Sequence, residues 1–184
     1  MTGSIRTFIG IPVAETPAIG AMLRELKGIG RGVRVTAAGQ LHLTVKFLGE
    51  TSKVHVPAIG EELREAARLV GRHPVELVGL GAFPNAARAS VVWAGIEPQA
   101  ELKRFAAELD RRLSPLGFAP ESRPYHPHLT LARVDGRVAG LGEFLASQRA
   151  TPLGGVTIDR VVLYQSELGP RGSVYSPIVG AELG

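Results

Sequence analysis

The chain reads as an α+β protein built on a degenerate internal duplication, and three observations predict this. Strand-like segments come in adjacent pairs between helix-like ones, an order that suits an antiparallel sheet better than a parallel doubly wound one. The tripeptide His-Leu-Thr occurs twice, in "LHLTVKFLGE" (41–50) and in "PHLTLAR" (127–133), each time on a strand-like frame followed by a helix signal. No linker or low-complexity tract separates the halves. The expectation is a single domain over 1–184 with two similar lobes, of about 90 residues each by simple halving. One His-x-Thr strand, 41–48 or 127–134, belongs to each lobe.

The elements follow in order. "SIRTFIGIPV" is a strand, with Ile5, Thr7 and Ile9 alternating against Arg6, Phe8 and Gly10. "TPAIGAMLRELKGIG" is a helix: Ile19, Met22, Leu23 and Leu26 recur at helical spacing, Thr16 caps it, Pro17 opens it and Gly28 stops it. A short strand "GVRVT" leads into the first His-Leu-Thr strand. "SKVHVPAIGEELREAARLVG" is a helix whose first turn is marked by Pro57. The strands "PVELVGLGAF" and "RASVVWAGI" flank the turn "PNAA". "QAELKRFAAELDRRLSPLG" is amphipathic, with Leu102, Phe105, Ala106, Leu109 and Leu113 on one stripe. "HPHLTLARV" is a strand, "RVAGLGEFLASQR" a helix, and "GGVTIDRVVLYQSEL" and "SVYSPIVGAEL" are closing strands.

Composition narrows the function. At 184 residues, 45% apolar and 21% charged, the chain can bury a real core. It has no cysteine, which excludes disulfides, thiolate metal sites and a cysteine nucleophile. The apolar stretch at the N-terminus is short, is interrupted by Pro12 and lacks a basic start, so it does not read as a signal peptide. No apolar run approaches membrane-spanning length. The expectation is a soluble, cytoplasmic protein. A net charge of +4 permits an anionic substrate but is far from the basic stripe of a duplex-binding module.

On a strand, residues two apart share a face. Leu41, Leu43, Val45 and Phe47 then point to the core, while His42, Thr44 and Lys46 face the other way. In the second motif Leu129 and Leu131 face the core, and His126, His128 and Thr130 lie opposite. Two imidazoles, one neutral and one protonated, supply a general base and a general acid near neutrality. Hydroxyls bind anionic oxygens without adding charge. That set suits phosphodiester cleavage and needs no metal or nucleotide; residue types alone leave open which histidine is acid and which is base.

"HLTV" and "HLTL", each on a strand, resemble the paired H-x-T-x motifs of the 2H phosphoesterase superfamily. The flanks "LHLTVKFLGE" and "HPHLTLAR" resemble its RNA 2′,3′-cyclic phosphodiesterase (2′-5′ RNA ligase-like) branch. The resemblance implies two α+β lobes about a pseudo-twofold axis, with both motifs in a central cleft. It implies hydrolysis of a terminal 2′,3′-cyclic phosphate to a 2′-phosphomonoester, in some relatives with reversible ATP-independent 2′-5′ ligation. His42 matches the proton donor, His128 the proton acceptor, and Thr44 and Thr130 the phosphate-binding hydroxyls. The implied partner is RNA with a cyclic phosphate end, or a cyclic nucleotide. No cofactor, membrane or obligate protein partner is implied.

Four neighbours are further candidates for substrate binding. Arg133 follows the second motif; strict alternation turns it to the core side, whereas twist or the strand's end would redirect it. Lys46 shares the His42 face, placed to meet an RNA phosphate or to stand solvated. Tyr125 and Arg123 fall where they would stack on or contact a nucleotide at the cleft rim, or serve as ordinary loop residues. Two rival readings exist. His126 and His128 form a possible metal pair, although such sites need further ligands, and Glu121 and Asp135 are the nearest carboxylates in sequence. A non-catalytic RNA-binding module would carry aromatics on its binding face. None interleaves with the histidines on their polar faces, and aromatics are 5% of the chain. ATP-driven ligation has no support, because G-x-x-x-x-G-K-[ST] is absent.

Overall fold

The computed structural model describes residues 3–169 and 172–184, and among these it contains nine strands and four α-helices. The strands are β1 (Ser4–Pro12), β2 (Val33–Val35), β3 (His42–Ser52), β4 (His73–Phe83), β5 (Val91–Glu97), β6 (Leu129–Val134), β7 (Pro152–Ile158), β8 (Arg160–Gly169) and β9 (Gly172–Glu182). The helices are α1 (Pro17–Ile29), α2 (Val56–Ala67), α3 (Ala100–Leu113) and α4 (Leu141–Ser147). None is long and apolar enough to cross a membrane.

Local chemistry accounts for the elements. Thr16 caps α1 as expected: its Oγ1 accepts from the Ile19 N–H at 3.1 Å. The same hydroxyl donates to the Leu153 carbonyl at 2.6 Å, tying the helix start to β7. The helix runs one residue beyond Gly28, to Ile29. Pro57 lies in the first turn of α2, where its missing N–H costs nothing. Two expectations shift. α4 spans only 141–147, since Gly136 and Gly140 adopt positive φ ahead of it and hold the chain out of a helix. The segment 154–168 is two strands, β7 and β8, parted at Asp159.

All the strands join one antiparallel sheet in the order β7-β4-β5-β6-β3-β1-β8-β9, with β2 pairing to β6. The order is a palindrome about the β6–β3 junction: β3 corresponds to β6, β1 to β5, β8 to β4 and β9 to β7. Simple halving therefore misplaces the lobes. One half-sheet is continuous in sequence (β4, β5, β6, β7), whereas the other takes β1 and β3 from the N-terminal region and β8 and β9 from the C-terminal region. The helices interlock the halves. α1 packs on β2 and β7, α3 on β3 and α2, α2 on β8 and β9, and α4 on β4. A core from Ile9 and Ile11 through Leu43, Leu109, Leu129 and Leu163 runs under both half-sheets. The result is an α+β fold with pseudo-twofold symmetry.

Candidate active site

Both His-Leu-Thr tripeptides meet at the centre of the sheet. β3 and β6 are joined by a single antiparallel bridge, Leu43 opposite Leu129, and β2 takes the β6 edge beyond it, at 132–134. Both leucines are fully buried, so their neighbours point to the opposite face, away from the core. Continuing that register sets His42 across from Thr130 and Thr44 across from His128. The duplicated sequence thus forms one cluster of two imidazoles and two hydroxyls, all half-buried.

The imidazoles are held alike. Nδ1 of His42 lies 2.8 Å from the Gln40 carbonyl, and Nδ1 of His128 lies 2.7 Å from the His126 carbonyl. A carbonyl only accepts, so each Nδ1 carries the hydrogen and each Nε2 is left for proton exchange. His73, which opens β4, makes the same contact with Gly71 at 2.8 Å, yet its Nε2 is buried without a partner. The carbonyl contact is therefore a local habit of a histidine at a strand start. What distinguishes the site is the pairing.

Aromatic rings surround both imidazoles. The His42 ring lies 4.9 Å from Phe8 and 5.0 Å from Tyr175, edge-on to the latter, with Tyr164 at 6.2 Å. The His128 ring lies edge-on to Phe83 at 5.0 Å, with Trp93 and His126 just over 6 Å away. These rings come from β1, β4, β5, β8 and β9, so inspection of the motif strands alone misses them; Phe8, standing opposite Ile9 in its strand, was the available signal. Burial is the main reason that both imidazoles are harder to protonate than a free histidine. For His42, the positive charges of Arg133 and then His128 act in the same direction, as does His126 for His128.

β-bulges decide which neighbours join the cluster. Against β1, Ile9 pairs with Lys46 and Gly10 with Thr44, leaving Val45 as an extra residue. Against β5, Val92 pairs with Ala132 and Trp93 with Thr130, leaving Leu131 extra. Each bulge follows the threonine directly and inverts the alternation beyond it. Lys46 is thereby turned into the interior at 2% exposure, where it pairs with Asp110 and donates to the Ala119 carbonyl at 2.8 Å. The expected RNA contact of Lys46 is thus corrected to an internal ion pair. Phe47, expected in the core, is 67% exposed, 6.2 Å from the Phe8 ring. Arg133, which simple alternation sends to the core, is exposed on the face of Thr130 and acts electrostatically on His42.

The remaining candidates fall elsewhere. Tyr125 packs against the core with its hydroxyl buried, which raises its pKa well above the phenol range, so it is not a stacking platform at a cleft rim. Arg123 is exposed and, with Tyr125, Lys103 and Asp110, lines a hollow of about 610 Å³ beside α3. A hollow of about 900 Å³ lies between the 86–90 turn and residues 136–143, which run into the start of α4. Neither includes His42, Thr44, His128 or Thr130. His126 stacks at 6.1 Å on His128 and edge-on to Trp93 at 5.1 Å. Among the described residues no three His, Asp or Glu side chains cluster as a metal site, so a His126–His128 pair lacks a third protein ligand there.

A two-histidine, two-threonine centre on the axis of a palindromic antiparallel sheet defines a 2H-type phosphoesterase fold. Residues 18–170 match the family model of the 2′-5′ RNA ligase superfamily, and the chain belongs to that superfamily. It is 39% identical over 140 residues to an RNA 2′,3′-cyclic phosphodiesterase of Aeropyrum pernix, covering 74% of this chain and 78% of the relative. It is 32% identical over 181 residues to the protein of the same name from Methanocaldococcus jannaschii, covering 95% and 98%. Among solved structures, a Thermus thermophilus protein superposes with a TM-score of 0.80 at 27% identity, over 97% of this chain and 98% of the other. Apo LigT of E. coli, at 24% identity and covering 99% of each chain, shares the fold with a TM-score of 0.75.

Proposed function

We propose that this protein hydrolyses the terminal 2′,3′-cyclic phosphate of RNA to a 2′-phosphomonoester, with residues 1–184 acting as one two-lobed domain. The observation that carries the reading is the Leu43–Leu129 bridge, which puts both imidazoles and both hydroxyls on one face of the sheet. The name shared by the relatives supports the substrate class.

In the proposed reaction, Nε2 of neutral His128 takes a proton from water as its oxygen attacks phosphorus. The P–O3′ bond breaks in line, and protonated His42 gives its Nε2 proton to the departing O3′. Thr44 and Thr130 donate hydrogen bonds to the nonbridging oxygens, and Arg133 offsets their charge. Each turnover leaves His42 neutral and His128 protonated, and exchange with solvent resets the pair. A positive charge on His128 disfavours protonation of His42, which keeps the two imidazoles from being charged together. With the 5′-hydroxyl of a second RNA in place of water, the same steps yield a 2′-5′ linkage, in keeping with membership of the 2′-5′ RNA ligase superfamily.

The test is incubation with 2′,3′-cyclic AMP and with an oligoribonucleotide ending in a 2′,3′-cyclic phosphate, with and without EDTA, followed by identification of the product. Turnover to the 2′-phosphomonoester is expected. A 3′-phosphomonoester, loss of turnover in EDTA, or binding without turnover would each overturn the proposal.

A further inference from the structure

Arg133, which the bulge at Leu131 brings onto the face of the histidines, has a cross-strand partner of the same charge. Arg34 of β2 pairs directly with Arg133 of β6, and direct partners in an antiparallel pair have Cα atoms about 5 Å apart with side chains on one face. Val33 and Val35 turn to the other side, as do Ala132 and Val134. Like charges directly opposite one another disfavour strand pairing, and an anion bound against them would offset that repulsion. Among the described residues, Arg133 is in no salt bridge. Among the described residues Arg34 is bound by the exposed carboxylate of Asp135, with Nη2 3.0 Å from Oδ1 and Nε 2.8 Å from Oδ2. That fork fits two oxygens on one centre, which a phosphate presents equally well.

We propose that Arg34 forms a second phosphate subsite, which takes the phosphodiester preceding the terminal nucleotide, while Arg133 faces the cyclic phosphate. The inference rests on the function proposed above and narrows its substrate class to polynucleotide ends over free cyclic nucleotides. Position supports the division of roles. Arg133 stands three residues from Thr130 on the same face, and its charge is felt at His42. Arg34 lies one strand further out, on the exposed edge where a chain leaving the centre would run. Asp135 occupies the guanidinium until RNA displaces it; an exposed ion pair of this kind is weak enough to exchange.

The experiment compares kcat/KM for 2′,3′-cyclic AMP with that for a diadenylate ending in 2′,3′-cyclic phosphate, in the parent, Arg34→Gln and Asp135→Asn, across a salt series. In Arg34→Gln the ratio of dinucleotide to mononucleotide kcat/KM falls about tenfold, through KM. The slope of log kcat/KM against log salt for the dinucleotide becomes shallower by about 0.7, the loss of one single-strand phosphate contact. In Asp135→Asn the ratio rises, because Arg34 is released. An unchanged ratio and slope in Arg34→Gln, or a fall in Asp135→Asn, overturns the subsite. Should the parent turn over neither substrate, the hydrolytic reading fails by itself. The subsite is then read from anisotropy of a labelled single-stranded RNA: a slope difference of about 0.7 between parent and Arg34→Gln upholds it, and equal slopes reject it.

Discussion

Asp110→Ala leaves the Lys46 ammonium at 2% exposure with the Ala119 carbonyl as its remaining acceptor. Removing one partner of a buried ion pair costs about 3–5 kcal/mol. Asp110 is itself 24% exposed, so water entering in its place screens part of this, and a loss of about 2–4 kcal/mol is expected. The variant also frees the Glu121 N–H, which Asp110 Oδ2 accepts at 3.1 Å. Lys46→Met acts differently. It removes the charge that is harder to bury and keeps most of the stem volume, while Asp110 hydrates through its open side; about 1–2 kcal/mol is expected. Asp110→Leu combined with Lys46→Met recovers most of the loss, because apolar replacement of a buried pair is often neutral. Urea unfolding of all three against the parent, with equal m-values, measures the order. If Lys46→Met is the most damaging, or Asp110→Ala lies within about 0.5 kcal/mol of the parent, Lys46 is not the buried partner and the bulge at Val45 has been misread.

Three further outcomes follow from the site. Because burial lowers the pKa of both imidazoles, the bell-shaped kcat/KM profile of the free enzyme lies on the acid side of an unperturbed histidine pair. Arg133→Gln lowers the rate by removing the charge that faces the phosphate, and, because Arg133 disfavours protonation of His42, it moves the alkaline limb to higher pH; a limb that stays still or moves to lower pH would contradict this. At Gly81 a Cβ would overlap the six-membered ring of Trp93, the ring that packs beside His126 and His128. Gly81→Ala is expected to cost about 1–3 kcal/mol in unfolding experiments and to reduce kcat below the unfolding range; an unchanged kcat would detach Trp93 from the positioning of His128.

The sequence made the centre of this protein legible because its signal was doubled: two equal tripeptides in equal apolar frames left little else for the histidines to share. Lys46, Phe47 and Arg133 depart from strict alternation for one reason. A bulge adds a single residue and inverts every side chain beyond it, and whether it forms depends on β1 and β5, which lie far away in sequence. The aromatic walls are hidden in the sequence for a similar reason, since Phe8, Tyr164, Tyr175, Phe83 and Trp93 reach the histidines from other strands. Nor did halving the chain find the lobes, because β8 and β9 return to β1 and close the N-terminal half-sheet with C-terminal residues.

The most direct measurement of the central idea, that both imidazoles act on a single phosphorus, is kcat/KM on 2′,3′-cyclic AMP for His42→Ala, His128→Ala and the double variant, in EDTA. General acid and base each contribute about 10²–10⁴-fold, and groups acting as a unit are strongly non-additive. Each single variant should fall by about three orders of magnitude, with the double variant little worse than either. A single variant keeping more than about a tenth of the parent rate, or losses that multiply in the double variant, would show that the two histidines do not serve one displacement.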